Sequence, residues 1–446
     1  MDAIEKRILE IIDEHKEELI AFGEDIYYHA EKGFCETRTA EKAAAFLKKL
    51  ELSTEEGLAV TGVKARLFPS REEVQGPSVA LIGELDGIRC DTHPHVNKEN
   101  NMSHACGHNI QLTAILGAAL ALSDPTVKST LSGQVLFMAV PAEEHVDMTV
   151  RDRLLAEGRL TFGFGGKSEL IREGAFDDVD MVVTHHVHLA ASDSDILVGS
   201  IPTNGFLSKR AIFKGKAAHA GAAPFDGINA LNAASLGLSA LAYQRETFKD
   251  SDHVRVHGII HKGGSAVNVV PDEVVAEVMI RANSLEAIKD ACMKTDRAFK
   301  AGAYALGAEV EINDFPGYFP VIASPAPSSL WEAAESIAGE KSFSTTPLNI
   351  QKADLTQHIA ASTDVGDLSH LMPVLNFTTG GFTGALHSAD YRIVDKEKAY
   401  LLPIKMMALS AYRLLKDGGR AALDEMASFK PVMTKTDYLN YLESFL

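Results

Sequence analysis

Five stretches of the chain place His, Cys or carboxylate side chains where segments rich in β-formers end. Glu84 and Asp86 close "SVALIGELD", Cys106 and His108 stand just ahead of an alanine-rich helical run, and Glu143-Glu144 follow "GQVLFMAVPA". His185 and His186 end "VDMVVTHH", and His387 comes after "PVLNFTTGG". These are the side chains that bind divalent metals. Adjacent residues on an extended stretch point opposite ways. One of the two glutamates can therefore hold an ion while its neighbour faces a water as general base. A tighter alternative is a structural zinc made locally by Cys90, His93, His95, His104, Cys106 and His108, although thiolate pairs usually dominate such sites and this spacing fits them loosely.

What could bring five distant segments together is a sheet whose strands end on one edge, because ligands in open α/β sheets sit beyond the carboxyl ends of the strands. The sequence has that rhythm. After an opening helix pair that extends to about Leu50, near-continuous apolar strands alternate with helices, as expected for a mostly parallel sheet covered on both faces. From Gly205 the order changes to strand-helix-strand-strand-helix-strand, the split βαβ (ferredoxin-like) pattern of a small α+β domain. The expected organisation is α/β: a catalytic domain from 1–204 and 317–446, interrupted by an inserted domain over 205–316. Thr203-Asn204-Gly205 and Phe315-Pro316-Gly317 are the hinges this implies.

The bulk numbers narrow the partners. With 446 residues the chain exceeds one hydrophobic core, and 46% hydrophobic with 23% charged residues is the composition of a folded protein. A net charge of -18 opposes nucleic acid and anionic membranes. Four cysteines make no disulfide framework, the amphipathic N-terminus is unlike a signal peptide, and no apolar run approaches the roughly 20 residues of a membrane span. The cytoplasm is the expected location.

In order along the chain, "HAEKGFCETRTAEKAAAFLKKL", "GELDGI", "HACGHN", "PAEE", "HHVH", "GKAAHAGAAPFDGINAL", "GGSAVNVVPDEVVAEVMIRA", "STDVGD" and "GALHS" resemble the dimetal amidohydrolase and carboxypeptidase family, peptidase family M20. That family contains hippurate hydrolase, aminoacylase, indole-acetyl amino acid hydrolase, p-aminobenzoyl-glutamate hydrolase and glutamate carboxypeptidase. The resemblance covers nearly the whole chain. It implies hydrolysis of an N-acyl or N-aroyl amino acid, with Cys106, His108, Glu144, His186 and His387 holding two divalent ions. Zinc or manganese suits that set, and cobalt or nickel is tolerated. It further implies Glu143 as general base and Asp86 as the carboxylate that orients a metal ligand. His219 would come from a dimerising lid to stabilise the oxyanion in the partner subunit's site, and Asn268, Arg281 and Gly381 would meet substrate, with Gly380 and Ser388 beside the pocket.

Departures leave parts of this open. Glu84 stands where relatives carry His or Asp, so Glu84, His104 and the choice between His185 and His186 are undecided as ligands. Asn109 and "STDVGD" lean towards the p-aminobenzoyl-glutamate branch, but "DTHPHVNKENN" leaves the acyl pocket undefined. A dipeptidase or N-carbamoyl amino acid amidohydrolase would share the chemistry. A non-catalytic binding module of the same fold would ordinarily have lost the base or the ligands.

Overall fold

Ser78–Glu84 and Gln134–Val140 are strands buried at every residue, as strands covered on both faces must be. They pair in parallel, and Ser78–Glu84 also pairs in parallel with Met181–Val187, which pairs in parallel with Val374–Thr379. These four strands are the centre of an eight-stranded sheet. Gly62–Arg66 and then Ser53–Leu58 extend one side antiparallel. On the other side Ile196–Val198 runs antiparallel to Val374–Thr379 and carries Ile350–Lys352 beside it. The computed structural model describes residues 1–70, 74–144, 146–188, 194–339 and 347–446.

The chain divides into two units, one of 1–201, 322–357 and 368–435 and the other of 202–321, 358–367 and 436–446. In the first, the helix His108–Leu122 is buried at every residue but Leu120. Its small side chains let it lie close on the sheet: a Cβ on Gly83 would come 2.8 Å from the Gln111 carbonyl oxygen. Ile115, Leu116, Leu81, Phe137, Met406 and Leu409 share the resulting core. The N-terminal segment forms three helices, Ala3–Glu14, Lys16–Tyr27 and Thr37–Lys49, rather than the expected pair. The extra break falls at His15, which leaves helical geometry at φ -107°, ψ 12°.

The second unit is a four-stranded antiparallel sheet in the order Arg255–Lys262, Glu273–Ala282, Gly205–Lys214, Glu309–Pro316. Helices Ala230–Tyr243 and Leu285–Ala305 pack on it around Phe213, Val274, Val278 and Phe299. That strand order is the split βαβ arrangement. Two short segments that the sequence reading gave to the first domain pack here instead. Asp367 accepts the Phe319 backbone N–H at 2.8 Å, and the Phe319 ring lies 5.0 and 5.1 Å from the rings of Tyr438 and Tyr441. Among the described residues no helix is long and apolar enough to cross a membrane.

Candidate metal centre

The carboxyl ends of the four parallel strands deliver the site. The strand Ser78–Glu84 ends at Glu84 with Asp86 just beyond, Gln134–Val140 runs into Glu143 and Glu144, and Met181–Val187 carries His185 and His186. Gly107, at φ 84°, turns the chain into the helix that starts at His108. A Cβ there would come 2.7 Å from a Val187 methyl, so only glycine allows this approach. His387, itself at φ 60°, is tied by its backbone N–H to the Ala105 carbonyl at 2.9 Å.

Two groups of ligand atoms share one sulfur. Cys106 joins His108 and His186 in one group, and Glu144 and His387 in the other, the atoms of each lying within 4.8 Å of one another. Cys106 Sγ is 3.5 Å from His186 Nε2 and 3.2 Å from His387 Nε2, which is itself 3.1 Å from Glu144 Oε1. Metal–sulfur and metal–nitrogen bonds of about 2.3 and 2.0–2.1 Å put two ligands of one tetrahedral ion roughly 3.3–3.6 Å apart, close to these spacings.

The ring orientations also fit an ion. His108 Nδ1–H donates to the Asp86 carbonyl and Oδ1, at 3.0 and 3.1 Å, which turns Nε2 towards the site. That buried nitrogen has no hydrogen-bond partner, yet it faces Glu84 Oε2 at 3.1 Å and Glu143 Oε2 at 3.8 Å. His186 is fixed likewise by Nδ1–H donating to the Val187 carbonyl at 2.7 Å. Burial and the neighbouring Glu144 push the Cys106 thiol well up. Against burial, Glu84 and Cys106 raise the His108 imidazole well above its usual range, and the same concentration of negative ligand groups suits divalent cations.

Of the two histidines, His186 enters the ligand group; His185 Nε2 bonds Thr379 Oγ1 at 2.8 Å within the sheet. Asp86 also accepts the Glu144 backbone N–H at 2.8 Å. Glu84 forms a third possible group with His108 and Glu143. Its Oε1 takes the buried Lys167 ammonium and its Oε2 the Gln111 amide, both at 2.8 Å. Burial alone would raise this carboxyl; Lys167, His108 and His186 hold it down to about 2. The sequence reading missed Lys167 and Gln111; Lys167 lies in the first turn of the helix Gly166–Glu173, where a lysine ordinarily meets solvent.

The local zinc alternative is not assembled. None of the ligand groups among the described residues contains Cys90, His93, His95 or His104. Cys90 Sγ lies 4.0 Å from the His387 carbonyl, and His93 Nε2 bonds the Tyr391 carbonyl at 3.0 Å. His104 is buried, with neither ring nitrogen bonded among the described residues.

The remaining expected residues separate. Gly381, at φ 98°, has its carbonyl taken by the backbone N–H groups of Val394 and Asp395, both at 3.0 Å, which is a structural use. His219, Asn268 and Arg281 belong to the second unit. There the Asn268 carbonyl accepts the Ala220 N–H at 3.0 Å, so the His219 and Asn268 loops are joined. His219 Nδ1 accepts from Gly221 and Ala222 N–H at 3.2 and 3.1 Å. A neutral ring so held keeps its proton on Nε2, as a donor. Arg281 donates to Ser362 Oγ at 3.0 Å and pairs directly across the sheet with Arg255.

Residues 202–305 match the peptidase dimerisation domain of M20 enzymes. The chain is 28% identical to the Xaa-Arg dipeptidase of Mus musculus over 84% of its own length and 79% of that protein. It is 24% identical to a component of the p-aminobenzoyl-glutamate hydrolase of Escherichia coli K12, over 94% and 93%. A dinuclear metal binding peptidase of the M20 family from Bacillus subtilis superposes with a TM-score of 0.61, at 21% identity over 89% of this chain and 98% of that one. The chain thus carries an M20 peptidase dimerisation domain and has the fold of that M20 peptidase. An aminobenzoyl-glutamate utilization protein from Klebsiella pneumoniae has the same fold, with a TM-score of 0.62 at 19% identity over 93% and 97%. These relatives are named as hydrolases of C–N bonds, and one structural neighbour as a dinuclear metal binding peptidase.

Proposed function

We propose that this chain is an M20 enzyme and cleaves the amide bond of N-acyl or N-aroyl amino acids, with Glu143 as general base. The observation that carries the reading is the Glu143 carboxylate at 3.8 Å from His108 Nε2, beside two ligand groups that share Cys106. Two bound divalent ions would supply a more acidic water and polarise the scissile carbonyl. Cys106, His108 and His186 would hold one ion, and Cys106, Glu144 and His387 the other; zinc or manganese suits this thiolate, imidazole and carboxylate set. Asp86 keeps His108 in the right tautomer and braces Glu144 through its backbone. Glu143 takes the proton of the attacking water and returns it to the leaving amine. Nε2–H of His219, offered by the partner subunit of a homodimer, stabilises the oxyanion, and Arg281 with Asn268 grips the substrate carboxylate.

The dimer reading is supported by the edge strand Arg255–Lys262, exposed along most of its length, with Ile259 and Ile260 on it and Val267 in the loop that follows all exposed. Free thiols and high negative charge suit a reducing cytoplasm. The test is a screen of N-acyl amino acids, p-aminobenzoyl-glutamate, N-carbamoyl amino acids and dipeptides with zinc or manganese added back. Turnover of acylated amino acids that is lost with chelator supports the reading. Turnover confined to dipeptides with a free amino end replaces it with a dipeptidase.

A further inference from the structure

Glu36 stands at the N-cap of the helix Thr37–Lys49, where a carboxylate ordinarily accepts the N–H groups of the first turn. It makes no such bond. Glu31 does that work from outside the helix: its Oε1 accepts the Arg38 N–H at 3.1 Å, and its Oε2 accepts the Thr39 N–H and hydroxyl, each at 2.8 Å. Glu36 is fully buried and turned the other way. Its Oε1 accepts the Ala142 N–H at 2.8 Å, and its Oε2 bonds the Thr61 hydroxyl at 2.6 Å.

Ala142 immediately precedes Glu143 and is held at φ 51°, a left-handed conformation that is strained for a non-glycine residue. The surroundings enforce it. The Ala142 carbonyl accepts the Gly166 N–H at 3.1 Å, and a Cβ on Gly166 would fall 1.9 Å from the Pro141 carbonyl oxygen. One residue past Glu143, Asp86 holds the Glu144 N–H. Two buried carboxylates thus grip the backbone on either side of Glu143.

We infer that Glu36 is the positioning residue of the general base: it fixes the strained turn at Ala142 that aims the Glu143 carboxylate, and so acts on turnover without touching metal or substrate. The inference rests on the reading of Glu143 as base. Burial and then the charge of Asp86 push the Glu36 carboxyl up to about 8. The Thr61 hydroxyl donates to Oε2 and the Ala142 N–H to Oε1. A glutamine amide keeps a partner for each: its oxygen accepts the Ala142 N–H and its NH2 donates to Thr61 Oγ1.

The experiment compares Glu36→Ala, Glu36→Gln, Thr61→Val and Glu31→Ala with the wild-type metal-loaded enzyme. Glu36→Ala should lower kcat by about 10- to 100-fold, the effect of misplacing a reacting group by an ångström or less, with KM and metal content unchanged. Glu36→Gln should restore most of kcat. Glu31→Ala should lower the melting temperature and leave kcat alone. Hydrogen exchange gives a readout independent of activity: the backbone over 142–144 should lose protection in Glu36→Ala but not in Glu36→Gln or Glu31→Ala. If Glu36→Ala does not fold, Thr61→Val, which frees Oε2 only, should lower kcat several-fold with metal retained. Unchanged kcat and exchange in Glu36→Ala, or in Thr61→Val where that variant stands in, overturn the inference. So does a Glu36→Gln variant as impaired as Glu36→Ala. A wild-type enzyme that turns over no acylated amino acid sinks the substrate reading instead, and the exchange experiment still decides whether Glu36 holds the turn.

Discussion

Glu143 and Glu144 are neighbours with different contacts, and the different duties proposed for them rest on that difference. Glu144 Oε1 meets His387 while its backbone is braced by Asp86; Glu143 turns to His108. Glu143→Gln should therefore keep both ions, since it removes no ligand, and lose at least about 10²-fold in kcat, the low end for positioned proton transfer. Elemental analysis beside steady-state kinetics checks this, and a variant with near-normal turnover is incompatible with the assignment. Lys167 carries a different risk. Deleting its ammonium leaves Glu84 buried and uncompensated, a loss of about 3–5 kcal/mol for a broken buried pair. Lys167→Met should lower the urea midpoint accordingly, and Lys167→Met combined with Glu84→Gln should recover much of it. If the double variant is no better than the single one, the pair is not the origin of the effect.

Among the elements, the parallel strands and their ends were legible from sequence because near-continuous apolar runs and the ligand types beyond them are local signals. The choice of His186 over His185 followed from strand alternation only once the sheet's faces were known. Lys167 and Gln111 were not legible, because what gives them meaning is Glu84, which stands 83 residues from Lys167 and 27 from Gln111. The segments 358–367 and 436–446 carry no periodicity that ties them to the second unit; tertiary contacts such as those of Asp367 and Tyr438 to Phe319 do so. At the element scale the sharpest test is the turn into the helix His108–Leu122. Gly107→Ala meets both a positive φ and a Val187 methyl. It should cost about 1–3 kcal/mol in denaturant unfolding and weaken metal binding by displacing Cys106 and His108. Cys106→Ala should lose metal with the fold intact, while Cys90→Ala keeps both ions. Metal loss from Cys90→Ala would revive the local zinc alternative.

For the whole molecule, the discontinuous chain means that a unit matched to a dimerisation domain interrupts a unit that holds the ligands. The proposed homodimer with His219 acting across subunits yields a complementation test. Inactive His219→Ala mixed with inactive Glu143→Gln, with subunits allowed to exchange, gives mixed dimers in which one of two sites has both residues intact. In a twofold pair each such dimer should recover about half of wild-type activity. No recovery despite demonstrated exchange would confine His219 to its own subunit or remove it from the chemistry.

The sulfur of Cys106, common to both ligand groups, makes the two groups unequal in order of filling even where they are equal in ligands. Burial keeps its proton on, so whichever ion arrives first must expel that proton, and the second finds a thiolate already formed. Loading should then release the thiol proton with the first equivalent alone. Calorimetric titration of the apoprotein in buffers of different ionisation enthalpy would register this as a greater proton release in the first step than in the second. Equal release in both steps would mean that each ion displaces a proton of its own and that the sulfur is not shared.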